Sequence, residues 1–321
     1  MGEVPEEHVS PFEFYFYLLN GCLGMVMNSA VLFLAFKYVD TRDKPRQILV
    51  MNMTLADLLT CTIYMLTRPY LNRFDEMLCY PYYIVIFTSQ LASCVFLLCI
   101  NLDKFIFIVY PLHYYEMVTR KRVLIVMIGI WMTLFNLGAL AYSQLQIVSP
   151  CNAVQINPYV YLTIIVIYVL VITSSFVISS IIYYIARNSQ RRDATYSNKA
   201  FKRLFFVFSS TLWTFCTCLP YRVCFLISAI LIPCSRTTDS EESVFCTLTA
   251  VFFYMIVVGI VFNALITVVT QRVYRQHVIK LLPFLTTIGK SADSRMVRFR
   301  RPSQPLMKSE ADKLTGSSGM Q

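Results

Sequence analysis

Seven blocks of twenty or more almost uninterrupted apolar residues, at 14–36, 48–67, 80–102, 123–145, 160–186, 204–232 and 244–270, dominate this 321-residue chain. Each is long enough to cross a hydrocarbon core of about 30 Å at about 1.5 Å per residue. Lipid offers the backbone no hydrogen-bond partner, so blocks of this kind must satisfy their amides internally, as helices. The fold class that follows is an all-α membrane protein, a seven-transmembrane helix bundle. Composition agrees: 57% of residues are hydrophobic and 14% charged, against about 45–50% and about 25% in soluble domains. An ordinary cytosolic enzyme is excluded.

Lysine and arginine in the short loops set the direction. Segments 37–47, 103–122, 187–203 and 271–290 carry 4, 4, 6 and 4 of them, whereas 1–13, 68–79, 146–159 and 233–243 carry 0, 2, 0 and 1. This asymmetry puts the amino terminus outside the cell and the carboxy terminus in the cytoplasm of a multi-pass plasma-membrane protein. The acids Glu3, Glu6, Glu7, Glu13, Asp75, Glu76, Asp239, Glu241 and Glu242 fall on the same outer side. The net charge of +10 is then a matter of loop topology, not a nucleic-acid footprint. The first dozen residues are acidic where a cleavable signal would be basic, so the first span is expected to act as its own insertion signal. The organisation read from this is an extracellular segment 1–12, a helical domain 13–285 and a disordered cytoplasmic tail 286–321.

The eleven cysteines show no CxxC pair and no zinc-like spacing with the three histidines. Disulfides persist on the oxidising face. Cys79 at the start of the third block and Cys151 in the following outer loop both lie there, and a bridge between them would tie that loop over the mouth of the bundle. Cys234 and Cys246 bracket the last outer loop and are candidates for a second bridge.

Two charges lie well inside the blocks, Asp57 and Arg222, and charge is expensive there unless it serves a function. Asp57, in NMTLADLL, has Asn28, Ser93 and Asn263 as candidate partners. Oxygen-rich side chains around one carboxylate suit a small hard cation such as Na⁺, or a proton-sensitive network. Arg222 is about ten residues from the outer end of its block, too deep to snorkel. It should face the interior and pair with a carbonyl, an acid, a tyrosine such as Tyr82, Tyr83 or Tyr254, or an anionic group of a ligand. Pro220 removes a helix hydrogen bond and is expected to kink its helix.

Taken in order, Asn28, NMTLAD with Asp57, Cys79 with Cys151, Ser93, DKFIFIVYPLHY from 103 to 114, Trp131, CLP at 218–220 and NALIT at 263–267 resemble the rhodopsin-like (class A) G-protein-coupled receptors. The resemblance covers residues 12 to about 285 and implies an extracellular ligand and a heterotrimeric G protein. It also assigns coupling and switch roles to Asp103, Lys104, Phe105, Pro111, Tyr183, Pro220 and Cys218. Several of these depart from the family pattern. Lys104 stands where the family has arginine, Cys218 where it has tryptophan, and Ala264 and Thr267 replace the proline and tyrosine of its seventh-helix motif; Ala200 occupies the place of an acid. Altered activation machinery and unusual resting activity are therefore expected.

The ligand pocket implied by the resemblance comprises Tyr82, Tyr83, Ile86, Gln90, Tyr221, Arg222, Phe225 and Phe253. Ile86 replaces the ammonium-binding aspartate of amine receptors and Val257 the retinal-binding lysine of opsins. Aromatics, a buried cation and an acidic rim suit a peptide, and a lipid acid or other small anion would also satisfy Arg222. On the cytoplasmic side, the basic loop 187–203 fits a Gα helix and anionic lipid headgroups. The stretch RVYRQHVIKLLPFL is expected to form a short interfacial helix with Tyr274 on its apolar side. The serine-rich tail offers sites to kinases and arrestin, foremost Ser303 in RFRRPS. Among rival classes, a transporter would show internal repeats, a channel a filter loop or charged rings, and an enzyme more than one buried acid and one arginine.

Overall fold

The computed structural model describes residues 10–39, 41, 45–143, 145–148, 153–156, 158–192, 198–230, 244–270 and 274–277. Seven helices in it are long and apolar enough to cross a membrane. They lie in α1 (Pro11–Tyr38), in α2 (Arg46–Leu59) continued to Met65, and in α3 (Glu76–Val109), α4 (Arg120–Ser143), α5 (Pro158–Arg192), α6 (Asn198–Ile230) and α7 (Val244–Thr270). Large apolar side chains such as Phe36, Leu170 and Phe262 point outward, the inversion of a soluble surface that lipid permits. We call the end of the bundle at which α1 begins its N-terminal face.

Every expected block is a helix, but its edges and interior hold details that apolar runs do not encode. α2 passes into a π-helix at Thr60–Met65 and, after a turn, a 3₁₀ helix at Arg68–Arg73. The hydroxyls of Thr60 and Thr62 donate back to the carbonyls of Ala56 and Leu58, at 3.1 and 2.8 Å. Such bonds compete with the α-helical ladder, and the wider turn closes with Leu66 N–H donating to Cys61 O at 3.2 Å. Gly24 of α1 allows this turn to approach, because a Cβ there would fall 2.4 Å from Cys61 Sγ.

The expected fourth span runs on to residue 145, yet α4 stops at Ser143, and Leu145–Val148 pairs antiparallel with Ala153–Ile156, Leu145 opposite Ile156. This hairpin lies in the loop between α4 and α5. A one-turn helix, Tyr114–Met117, follows α3. Another helical turn, 274–277, follows α7, at the place expected for the interfacial helix.

Two apolar clusters fill the bundle. One joins Leu91 and Phe96 of α3, Leu134 of α4, Tyr168 and Ile172 of α5 and Cys218 of α6. The other, nearer the N-terminal face, joins Tyr17, Tyr64, Met65, Tyr82 and Val257. Trp131 of α4 donates its Nε1–H to Asn52 Oδ1 of α2 at 2.9 Å, a polar tie of the kind that orients helices where lipid supplies no hydrophobic drive.

Candidate functional site

Asp57 is 1% exposed, held mid-bundle by the register of α2. Ser93 Oγ of α3 donates to its Oδ1 at 2.6 Å, and Asn263 Nδ2 of α7 reaches its Oδ2 at 3.4 Å. Ser210 Oγ of α6 in turn donates to Asn263 Oδ1 at 3.1 Å. Three helices thus converge on one carboxylate through two direct bonds, and a fourth joins through Asn263. Asn28, the third partner expected for this carboxylate, is turned elsewhere. Its Nδ2 donates to Gly24 O at 2.9 Å and approaches Cys61 Sγ at 3.9 Å, while its buried Oδ1 lacks a partner among the described residues.

Arg222 points inward from the turn of α6 that follows Pro220. Its Nη2 donates to Gln90 Oε1 of α3 at 3.0 Å, and its guanidinium carbon stands 4.0 Å from the ring centroid of Tyr168 on α5. A planar guanidinium both stacks and donates in this manner. Its Nε has no hydrogen-bond partner among the described residues. The tyrosines around it are therefore Tyr168, Tyr221 and Tyr161, not Tyr82, Tyr83 or Tyr254. Sequence reasoning missed Tyr168 because a tyrosine in an apolar block reads equally well as packing. Its position beside Arg222 depends on the register between α5 and α6, which no local pattern reports.

The two buried charges share one cavity. A space of about 60 Å³ is lined by Asp57, Ser93 and Asn263 at one end and by Gln90, Tyr168 and Arg222 at the other. Between them lie Cys94 and Cys218, whose thiols face each other across α3 and α6. A small side chain at 218, in place of the family's tryptophan, leaves this passage continuous. Trp213 and Gly259 also border it.

Of the eight pocket residues expected, Gln90 and Arg222 line this cavity. The other six are not among its lining residues and pack into an aromatic assembly. Tyr221 bridges Phe225 and Phe253 at ring distances of 6.0 and 5.2 Å, and Tyr82 packs against Tyr83 at 5.1 Å and Tyr64 at 6.3 Å. Tyr83, Ile86 and Phe253 pack on the second apolar cluster. The same assembly encloses Arg68, whose charge lies among Tyr64, Tyr82, Tyr17 and Tyr83. Arg68 had been counted only as a loop charge; its position at the end of an apolar block was the available signal. Near the N-terminal face, Tyr254 donates to Glu13 Oε1 at 3.0 Å, so that acid belongs to an α1–α7 tie.

The expected switch residues lie at separate places in the bundle. Asp103 is 6% exposed and accepts a 2.8 Å bond from Tyr114 OH. Burial first, and then the Asp103 carboxylate, push the Tyr114 phenol above its ordinary range, so it keeps its proton and donates. Lys104 and Phe105 follow on α3, and Pro111 opens the exposed turn beyond it. Tyr183 of α5 stacks on Phe208 of α6 at 4.8 Å. Tyr274 is fully buried, its hydroxyl 3.5 Å from Gln47 Oε1, and burial pushes the phenol up to about 12. Cys79 is disulfide-bonded. Its proposed partner Cys151, along with Cys234, the side chain of Cys246 and Ser303, lies outside the described residues.

A family model described as 7 transmembrane receptor (rhodopsin family) matches residues 27–266. The chain is 44% identical to the G-protein coupled receptor aex-2 of Caenorhabditis elegans over 299 residues, 93% of this chain and 92% of that protein. Shorter likenesses extend to human lysophosphatidic acid receptor 6, 26% identical over 149 residues and 42% of each chain. A further one is mouse galanin receptor type 2, 30% identical over 161 residues, 47% of this chain and 42% of that one.

Proposed function

Because the chain belongs to the rhodopsin family of seven-transmembrane receptors, we propose that it is a plasma-membrane receptor, amino terminus outside, that binds an extracellular peptide and activates a heterotrimeric G protein. The single observation that carries this reading is the shared cavity, which connects the ligand-facing guanidinium of Arg222 to the Asp57 network. A ligand group that changes the hold on Arg222 also changes α6, the element whose swing opens the cleft for a Gα helix. The orientation rests on the lysine and arginine asymmetry of the loops.

A peptide is favoured by the depth of the aromatic assembly and by two guanidiniums at separate places along it, Arg222 and Arg68. Backbone carbonyls and a carboxylate could engage both, while the rings take side chains. Likeness to a galanin receptor supports the same reading. A lipid acid is the second reading, supported by the unpartnered Nε of Arg222 and by likeness to lysophosphatidic acid receptors. Asp57, Ser93 and Asn263 supply oxygens for a Na⁺ ion that would steady the resting form. The tail is the proposed substrate of kinases acting at Ser303 and a docking segment for arrestin, and the basic cytoplasmic loop is proposed to touch anionic lipid.

Cells expressing the receptor with cAMP and calcium reporters are to be challenged with a peptide library and with lysophosphatidic acid. A peptide response should weaken about 10- to 100-fold in potency in Arg222→Gln, the worth of one charge-assisted hydrogen bond, at unchanged surface expression. A response to lysophosphatidic acid alone would replace the peptide reading. Unaltered potency in Arg222→Gln would remove this residue from the ligand site.

A further inference from the structure

We infer that the core of this receptor contains a small-anion site, built by Arg222 with Tyr168 and Tyr161 between α3, α5 and α6. A halide or a single carboxylate is the ligand class it fits. Two buried polar groups in this region, Arg222 Nε and Tyr168 OH, lack partners among the described residues, and the Tyr161 hydroxyl lies within hydrogen-bonding reach of the guanidinium. All three can donate a hydrogen bond. Tyr168 underlies the guanidinium at 4.0 Å, Tyr161 lies close enough to interact electrostatically with it, and Tyr161 also packs on Phe225 of α6 at 5.1 Å. Unmatched donors gathered around a fixed positive charge define a place for negative charge.

No acid among the described residues pairs directly with that charge. Gln90, the residue bonded to Arg222, is neutral. Asp57 lines the opposite end of the cavity, where Ser93 and Asn263 hold it, and does not contact the guanidinium. A buried guanidinium without a counter-charge costs several kcal/mol, and orphaned donors add to that cost. A monovalent ion beside Arg222 would remove both penalties. The cavity, at about 60 Å³, admits chloride, bromide or the carboxylate of acetate, and excludes an anion as bulky as gluconate. Water filling the same space could satisfy the donors but not the charge, and the experiment separates the two cases.

The full-length receptor, purified in lipid nanodiscs without agonist, is titrated by thermal unfolding at fixed sodium while gluconate is exchanged for chloride, bromide or acetate. Binding at millimolar affinity should raise the midpoint by about 3–6 °C at about 150 mM anion, following mass action. Arg222→Gln should abolish the rise. Tyr168→Phe, which keeps the ring under any remaining cation and removes one donor, should reduce it and serves as the second variant if Arg222→Gln does not fold. A rise with chloride and bromide identifies a free halide as occupant. A rise with acetate alone identifies a carboxylate site, to be filled by a ligand's acidic end. Equal midpoints in all four salts would overturn the proposal, as would a rise that persists in Arg222→Gln. Either failure leaves the family assignment untouched, since that rests on the sequence likenesses.

Discussion

The seam between α6 and α7 depends on one absent side chain, and adding it back has a calculable effect. An alanine Cβ at Gly259 would lie 2.7 Å from Trp213 Nε1 and 3.0 Å from its Cδ1. Atoms cannot settle at that separation, and the contact is with a rigid ring, so Trp213 must move by the better part of an ångström. That movement stretches the 3.3 Å bond from Trp213 Nε1–H to Met255 O, worth about 0.5–1.5 kcal/mol. Trp213 is 41% exposed and can give way outward, so overpacking adds only about 1 kcal/mol, the low end of the interior range. A loss of about 1.5–2.5 kcal/mol corresponds to a midpoint lower by roughly 3–10 °C for a domain of this size class. The assay is thermal unfolding of detergent-purified receptor by thiol-reactive dye, beside surface expression. Substituting Trp213→Leu in the Gly259→Ala background should restore part of the loss, because the clashing ring is gone. An unchanged midpoint in Gly259→Ala would refute the claim that this glycine is kept by close approach.

Three further outcomes follow from the geometry. Asp57→Asn should abolish any dependence of agonist affinity on sodium chloride, measured by competition binding against a sodium-free salt, because the amide removes the charge that would hold the ion. Tyr114→Phe should raise ligand-independent reporter activity about 3- to 10-fold by releasing Asp103 from its 2.8 Å bond, about 1 kcal/mol. In the unaltered receptor that contribution should not change as pH rises from about 7 to 9, since the raised phenol keeps its proton over that range. Cys151→Ser should strand the receptor inside the cell in a surface-immunostaining assay, whereas normal delivery would argue that Cys79 bonds elsewhere.

The legibility of this molecule in its sequence tracks how local each constraint is. A hydrocarbon core dictates length and apolarity residue by residue, so all seven spans could be read directly, and a charge inside such a block stands out for the same reason. Asp57, Ser93 and Asn263 were found because polar side chains are rare in these helices. Asn28 obeyed the same rule and still misled, because its amide returns to Gly24 O in its own helix, a bond available to any asparagine four residues downstream. Tyr168 and Tyr161 were invisible because tyrosine is unremarkable in an apolar block until rotation about the helix axis sets it beside Arg222. Register between helices is also what makes one cavity of Asp57 and Arg222. Along the chain each charge has its own set of candidate partners, and nothing joins them. This contiguity changes the functional argument. With Cys218 in place of a tryptophan, no bulky indole separates the guanidinium end of the cavity from its carboxylate end. On the proposed reading, an ion or ligand group settling against Arg222 would be felt by the Asp57 network through the electric field across one small space.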